Sequence, residues 1–151
     1  MARGWQLATA ESCTGGAIAA AITDIAGSSQ WFDRGFVTYS NPSKQDMLGV
    51  RATTLETAGA VSEATVAEMV RGALVHSLAQ VTLAVSGIAG PGGGSADKPV
   101  GTVCLAWAME GAQPVVRTEH FAGDRAAVRA QTVGRALQGV LDMLAQSDAN
   151  A

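Results

Sequence analysis

The feature that most constrains the fold is an alternation of two kinds of segment between residues 5 and 144. Short apolar or β-branched runs, WQLATA (5–10), GFVTY (35–39) and VTLAVS (81–86), read as buried strands. Helical stretches separate them. GAIAAAITDIAG (16–27) is rich in helix formers and stops at Gly27; Pro42 suits the first turn of a helix carrying Lys44, Met47 and Leu48. From Ser62, a residue type suited to N-capping, Val66, Met69, Val70, Ala73, Leu74 and Leu78 recur at helical spacing. TVCLAWAM (102–109) and PVVRTEHF (114–121) read as an antiparallel hairpin around residues 110–113. Asp124 then caps a long helix with Val128, Val133, Leu137, Val140, Leu141 and Leu144 on its core face, and residues 145–151 form a flexible polar tail. This order predicts an α/β fold: a single layered domain over residues 1–151, with a mixed β-sheet flanked by helices.

Composition excludes several function classes. The net charge is −3 and the ten Lys and Arg residues are scattered, so there is no basic stripe for nucleic acid. His76 and His120 stand alone, without the paired spacing of a metal site, and read as structural or exposed. Cys13 and Cys104 are the only cysteines, which fits reduced thiols. Cys104 lies in a strand and reads as core; Cys13 precedes a helix, a setting that lowers a thiol pKa. Trp31 and Trp107 read as packing residues. No apolar run reaches the length of a membrane span and no signal-peptide core opens the chain, so the expected location is the cytoplasm.

Three polar clusters follow the three strands, where ligands of α/β sheets gather. They are Glu11-Ser12-Cys13-Thr14-Gly15-Gly16; Tyr39-Ser40-Asn41 with Lys44; and Ser86-Gly87 with the loop IAGPGGGSADKPVG (88–101), which is too rich in Gly and Pro for regular structure. Neither glycine cluster fits the P-loop or the dinucleotide fingerprint. Glycines before a helix let backbone N–H groups approach an anion, so Thr14, Gly15 and Gly16 are candidates to bind a phosphate or an oxyanion. On residue types alone, SCTGG is equally a plain strand-to-helix turn with Ser and Thr caps. A serine nucleophile needs a base, and no cluster holds a histidine, which leaves Lys44. A lysine depressed by burial and a nearby cation can serve, with Tyr39 relaying or orienting the proton; a solvated helix lysine is the alternative. Arg125 and Arg129, four apart on one helix face, suit a phosphate, or else form an exposed pair balanced by Asp124.

The blocks ATAESCTGG, ITDIAGSSQWFDRGFVTYSNPSK, GAVSE, SGIAGPGGGSADKPVGTV and FAGDRAAVRAQTV resemble the CinA C-terminal family, whose members include bacterial nicotinamide-nucleotide amidohydrolases. The resemblance implies hydrolysis of the carboxamide of nicotinamide mononucleotide to nicotinate mononucleotide and ammonia in pyridine-nucleotide salvage, with no cofactor or metal. It implies a serine acting with a lysine and a tyrosine, which match Ser12 or Ser29 with Lys44 and Tyr39. Ser12 is the expected nucleophile because it ends a strand; Ser29 is the other candidate, or a second hydroxyl in proton transfer. Ser86 and Gly87 are expected to line the nucleotide site. Family members usually carry a further helix before the first strand, so a sheet face less covered than theirs is expected, and with it a homodimer. The competing readings are a non-catalytic nucleotide-binding module and an amidase for another small carboxamide.

Overall fold

The register of five strands fixes which residues meet. In the computed structural model, which describes residues 3–151, the strands β1 (Leu7–Glu11), β2 (Phe32–Val37), β3 (Val81–Gly87), β4 (Thr102–Met109) and β5 (Val115–His120) form one sheet in the order β2-β1-β3-β4-β5. β1 runs parallel to both neighbours, pairing Glu11 with Val37 on one side and with Val85 on the other. β3, β4 and β5 are antiparallel, so the sheet is mixed, as expected. The carboxyl ends of β1, β2 and β3 therefore share one edge, and all three polar clusters lie there.

Helices cover both faces. α1 (Ala17–Thr23) and α5 (Arg125–Ala149) pack on one, closing a core of Leu7, Leu83, Val85, Leu105, Trp107 and Val128. Trp107 also donates its indole N–H to the Ala136 carbonyl at 2.8 Å, which ties β4 to α5. On the other face lie α2 (Asn41–Leu48), α3 (Ala52–Ala58) and α4 (Glu63–Val75), over Ala10, Ala84, Cys104 and Ala106. Small residues on that face of the sheet let α4 sit close. Gly72 extends the same logic, since a Cβ there would collide with the Leu48 backbone, and its absence lets α2 dock against α4. None of the described helices is long and apolar enough to cross a membrane.

Several boundaries differ from expectation. β1 begins at Leu7 and includes Glu11, because the parallel ladders on both sides continue through that residue. β2 starts earlier, at Phe32, and leaves Tyr39 outside it. α1 ends at Thr23, four residues before Gly27, which instead takes a left-handed φ of 85° to open a 3₁₀ turn, Ser28–Gln30. α4 ends at Val75, with His76 as its cap, so Leu78 falls outside the helix and is 68% exposed. The polar stretch expected as a tail continues α5 to Ala149, where Ser147 accepts a hydrogen bond from Arg3 and Asp148 forms an ion pair with it.

Candidate active site

Strand alternation separates the first two residues of the polar cluster. Leu7, Thr9 and Glu11 face the α1 and α5 layer, while Ala8 and Ala10 face α2 to α4. Ser12 keeps the ladder going, with its N–H donating to the Val85 carbonyl at 3.1 Å, and so turns its hydroxyl to the α2 side. Lys44 meets it there. The first turn of α2 is fixed by a capping box, in which Ser43 N–H donates to Ser40 Oγ at 3.2 Å and Ser40 N–H donates to Ser43 Oγ at 3.1 Å, with Pro42 in that turn.

The Lys44 side chain is 1% exposed. Its Nζ lies 3.0 Å from Ser12 Oγ, 2.8 Å from the Thr38 carbonyl oxygen and 3.2 Å from that of Tyr39. Burial holds the ammonium below the usual lysine range, and among the described residues no carboxylate pairs with it. Nζ donates to the two carbonyls and to Ser12 Oγ, so a proton lost from this nitrogen leaves a lone pair that can face the serine hydroxyl while the carbonyls keep their two N–H groups. The solvated-lysine alternative is thereby overturned. So is the expected neighbouring cation, since desolvation alone lowers this lysine.

Tyr39 is 63% exposed at the mouth, and its hydroxyl is 3.5 Å from Arg125 Nη2. Its side chain does not bond Lys44; its backbone carbonyl does. Ser12, Tyr39, Lys44, Ser86, Gly87 and Arg125 line one cleft of about 260 Å3. Arg125, whose Nη1 donates to the Gly90 carbonyl at 2.9 Å, also lines an adjoining cavity of about 650 Å3, which Arg129 shares. Neither arginine has a carboxylate partner among the described residues, and Asp124 instead caps α5 through Ala127 N–H at 2.9 Å. The expected Asp124 balance is absent.

Ser29 is not brought to this cleft. It stands exposed in the 3₁₀ turn before β2, at the amino end of the parallel strands, whereas Ser12 follows their carboxyl end. The length of β1 separates them, on the order of 16 Å.

Glu11 was not assigned a role from the sequence, yet it organises the turn. It is 1% exposed, and its carboxylate accepts from Thr14 Oγ1 at 2.5 Å, Ile18 N–H at 2.9 Å and Ala19 N–H at 3.0 Å. The first turn of α1 is therefore already occupied by an internal anion, and the Thr14 hydroxyl is already spent. The Ile18 and Ala19 N–H groups and the Thr14 hydroxyl are thus paired inside the protein and are not offered to an external phosphate. The signal in the sequence was a carboxylate closing an apolar strand six residues before the helix begins at Ala17. Gly15 and Gly16 reverse the chain in left-handed conformations, φ 61° and 106°, which favour glycine. The expected lowering of Cys13 is corrected: burial pushes its thiol up to about 11, with the nearby Glu11 carboxylate adding to the rise and Arg129 and Lys44 opposing it. His76 and His120 stay apart from the cleft, on Gly72 O and Thr102 Oγ1 respectively.

With this geometry in place, the comparisons with known proteins are informative. The family model described as the CinA C-terminal domain matches residues 1–144. The chain is 57% identical over 140 residues to the nicotinamide-nucleotide amidohydrolase PncC of Enterobacter agglomerans, covering 93% of this chain and 85% of that one. It is 55% identical over 146 residues to the protein of the same name from Escherichia coli K12, covering 97% and 88%. Among solved structures, the competence/damage inducible protein CihA from Agrobacterium tumefaciens superposes with a TM-score of 0.92 at 50% identity, covering 93% of this chain and 86% of that one.

Proposed function

The chain belongs to the CinA C-terminal domain family, and from that membership and its cleft we infer that it is a nicotinamide-nucleotide amidohydrolase, converting nicotinamide mononucleotide and water to nicotinate mononucleotide and ammonia. The observation that carries the mechanism is the 3.0 Å contact between Lys44 Nζ and Ser12 Oγ, made by a buried lysine at the edge where ligands of parallel strands bind. Neutral Lys44 takes the Ser12 hydroxyl proton as Oγ bonds to the carboxamide carbon. The resulting lysine ammonium gives that proton to the amide nitrogen, the C–N bond breaks, and ammonia leaves an acyl ester on Ser12. Water then attacks the ester with Lys44 again as base, and Ser12 recovers its proton. Ser29 has no part in this sequence.

The cleft takes the carboxamide end, and the adjoining cavity takes the ribose phosphate. Arg125 stands at their junction with one carbonyl partner and a free fork edge, so it is the phosphate contact we favour, with Tyr39 positioned beside it. Ser86 and Gly87 form the floor of the carboxamide end.

Ammonia release from nicotinamide mononucleotide, by the wild-type chain and by folded Ser12→Ala and Lys44→Met variants, tests the proposal. Turnover lost in both variants is expected. Unchanged turnover in either removes the Ser12–Lys44 mechanism. Comparing the nucleotide with its dephosphorylated riboside tests the phosphate contact, because an Arg125→Gln variant should weaken binding of the nucleotide alone.

A further inference from the structure

The residues that orient the nucleophile's own turn include one from the far end of the chain. Ser12 to Gly15 form a β-turn closed by Gly15 N–H donating to the Ser12 carbonyl at 3.1 Å. Its central peptide joins Cys13 to Thr14, and the turn's own hydrogen bond uses neither polar group of that peptide. Among the described residues, no oxygen accepts from the Thr14 N–H or from the Cys13 N–H. The carbonyls, in contrast, are held: Arg129 Nε donates to Cys13 O at 3.1 Å and Arg129 Nη2 to Thr14 O at 3.0 Å.

A trans peptide is planar, so its N–H points opposite to its carbonyl. With Cys13 O turned to Arg129, which faces the larger cavity, the Thr14 N–H points the other way; Thr14 itself is fully buried, and the residue of this turn that lines the catalytic cleft beside Ser12 is Cys13. The two common forms of such a turn differ by a flip of this central peptide, and the flipped form requires a positive φ at the third residue. That residue is Thr14, a β-branched type that resists positive φ, and it keeps a negative φ here.

Building on the amidohydrolase reading, we propose that Arg129 is a positioning residue that fixes the Cys13–Thr14 peptide and with it the whole turn, so that the Cys13 N–H, at the wall of the cleft beside Ser12, binds the oxyanion formed when Ser12 attacks. Arg129 acts through the backbone and leaves the phosphate to Arg125. This answers which groups stabilise the developing charge, given that Glu11 has already taken the N–H groups of α1.

The experiment is steady-state kinetics of wild type, Arg129→Gln and Arg129→Lys on nicotinamide mononucleotide and on its riboside, with thermal melts alongside. Arg129→Gln should lower kcat by about 10²-fold, a loss in the range of removing one oxyanion donor, with KM moved by less than about twofold and the same factor on both substrates. Arg129→Lys should recover part of that loss, since an ammonium reaches one of the two carbonyls but lacks the planar fork for both. A rise in KM confined to the phosphorylated substrate, with kcat intact, would overturn the proposal and make Arg129 a phosphate ligand. Unchanged kcat in Arg129→Lys and Arg129→Gln overturns it as well. A wild-type chain inactive on both substrates is a distinct result, because it sinks the amidohydrolase reading on which this proposal rests.

Discussion

Two serine-bearing turns lie at opposite ends of the same parallel strands, and they look alike in composition. Residues 12–16 join β1 to α1 and residues 27–30 lead into β2; each pairs serine with a glycine of positive φ and adjoins a short helical turn. Their surroundings differ completely. At the carboxyl end, Ser12 is 8% exposed, faces a buried lysine and sits on a turn held by Glu11 and Arg129. At the amino end, Ser29 is exposed and makes no side-chain hydrogen bond among the described residues. Residue type supplies a hydroxyl in both places, but only at the strand end that collects three loops does that hydroxyl meet a buried amine and lie in a cleft.

Breaking the Ser12 turn chemically should have the largest effect. Ser12→Ala removes the nucleophile and nothing from the core, so turnover should fall by at least about 10³-fold while the melting curve stays near that of wild type. Retained turnover would mean that the two turns had been ranked in the wrong order.

Lys44→Met comes next, and it separates activity from stability. A base contributes about 10² to 10⁴ in rate, so turnover should drop by that much. Stability should hold or increase, because methionine fills the buried channel without a desolvated amine. The pH dependence follows in sign. Activity needs neutral Lys44, so kcat/KM should rise with pH through the lowered lysine value. Stability should rise with pH as well between that value and the unfolded one near 10.5, since the unfolded chain binds the extra proton there. Lys44→Met should abolish that contribution to the stability slope. A variant that instead unfolds readily at every pH would make Lys44 a structural element.

Glu11→Gln probes the scaffold of the same turn. One carboxylate oxygen accepts two hydrogen bonds and the other accepts one; an amide nitrogen in place of either oxygen faces a donor. The expected loss is about 1–3 kcal/mol, measured by denaturant unfolding. No loss would show that α1 closes its first turn without the carboxylate.

Much of this was legible in the sequence, for identifiable reasons. The two central strands β3 and β4 were visible because β4 is apolar from Val103 to Met109 and β3 is apolar apart from Thr82 up to Ser86, close to the signature of strands buried on both faces. Lys44 was found by elimination, since no other base stood near a strand end. Glu11 was quoted but not understood, because its partners are the backbone N–H groups of Ile18 and Ala19, and backbone groups carry no residue-type signal. Arg129's contacts were hidden for the same reason: its partners are carbonyls more than a hundred residues away, and helical spacing showed only that it shares a face with Arg125. The ends of α1 and α4 were overextended by local pattern, where the chain instead turned at residues whose roles are set by packing. Cys13 failed through burial, since desolvation raises a thiol more than its position before a helix lowers it, and burial is not visible in the local sequence.

The smallest effect should come from Ser29→Ala, and its size is informative because it is small. The Ser29 side chain is exposed and unbonded, and surface substitutions of that kind shift stability by less than about 0.5 kcal/mol. Any contribution to proton transfer would have to cross the length of β1, whose middle is packed with Ala8, Thr9 and Ala10, all fully buried, so no water path links the two ends through the strand. Turnover should therefore stay within about twofold of wild type. A loss of tenfold or more without unfolding would require a second chain or a rearrangement to carry Ser29 to the Lys44 cleft, and the contrast between the two turns would then belong to the isolated chain alone. A twofold change or less leaves the carboxyl end of the parallel strands as the place where this sequence does its chemistry.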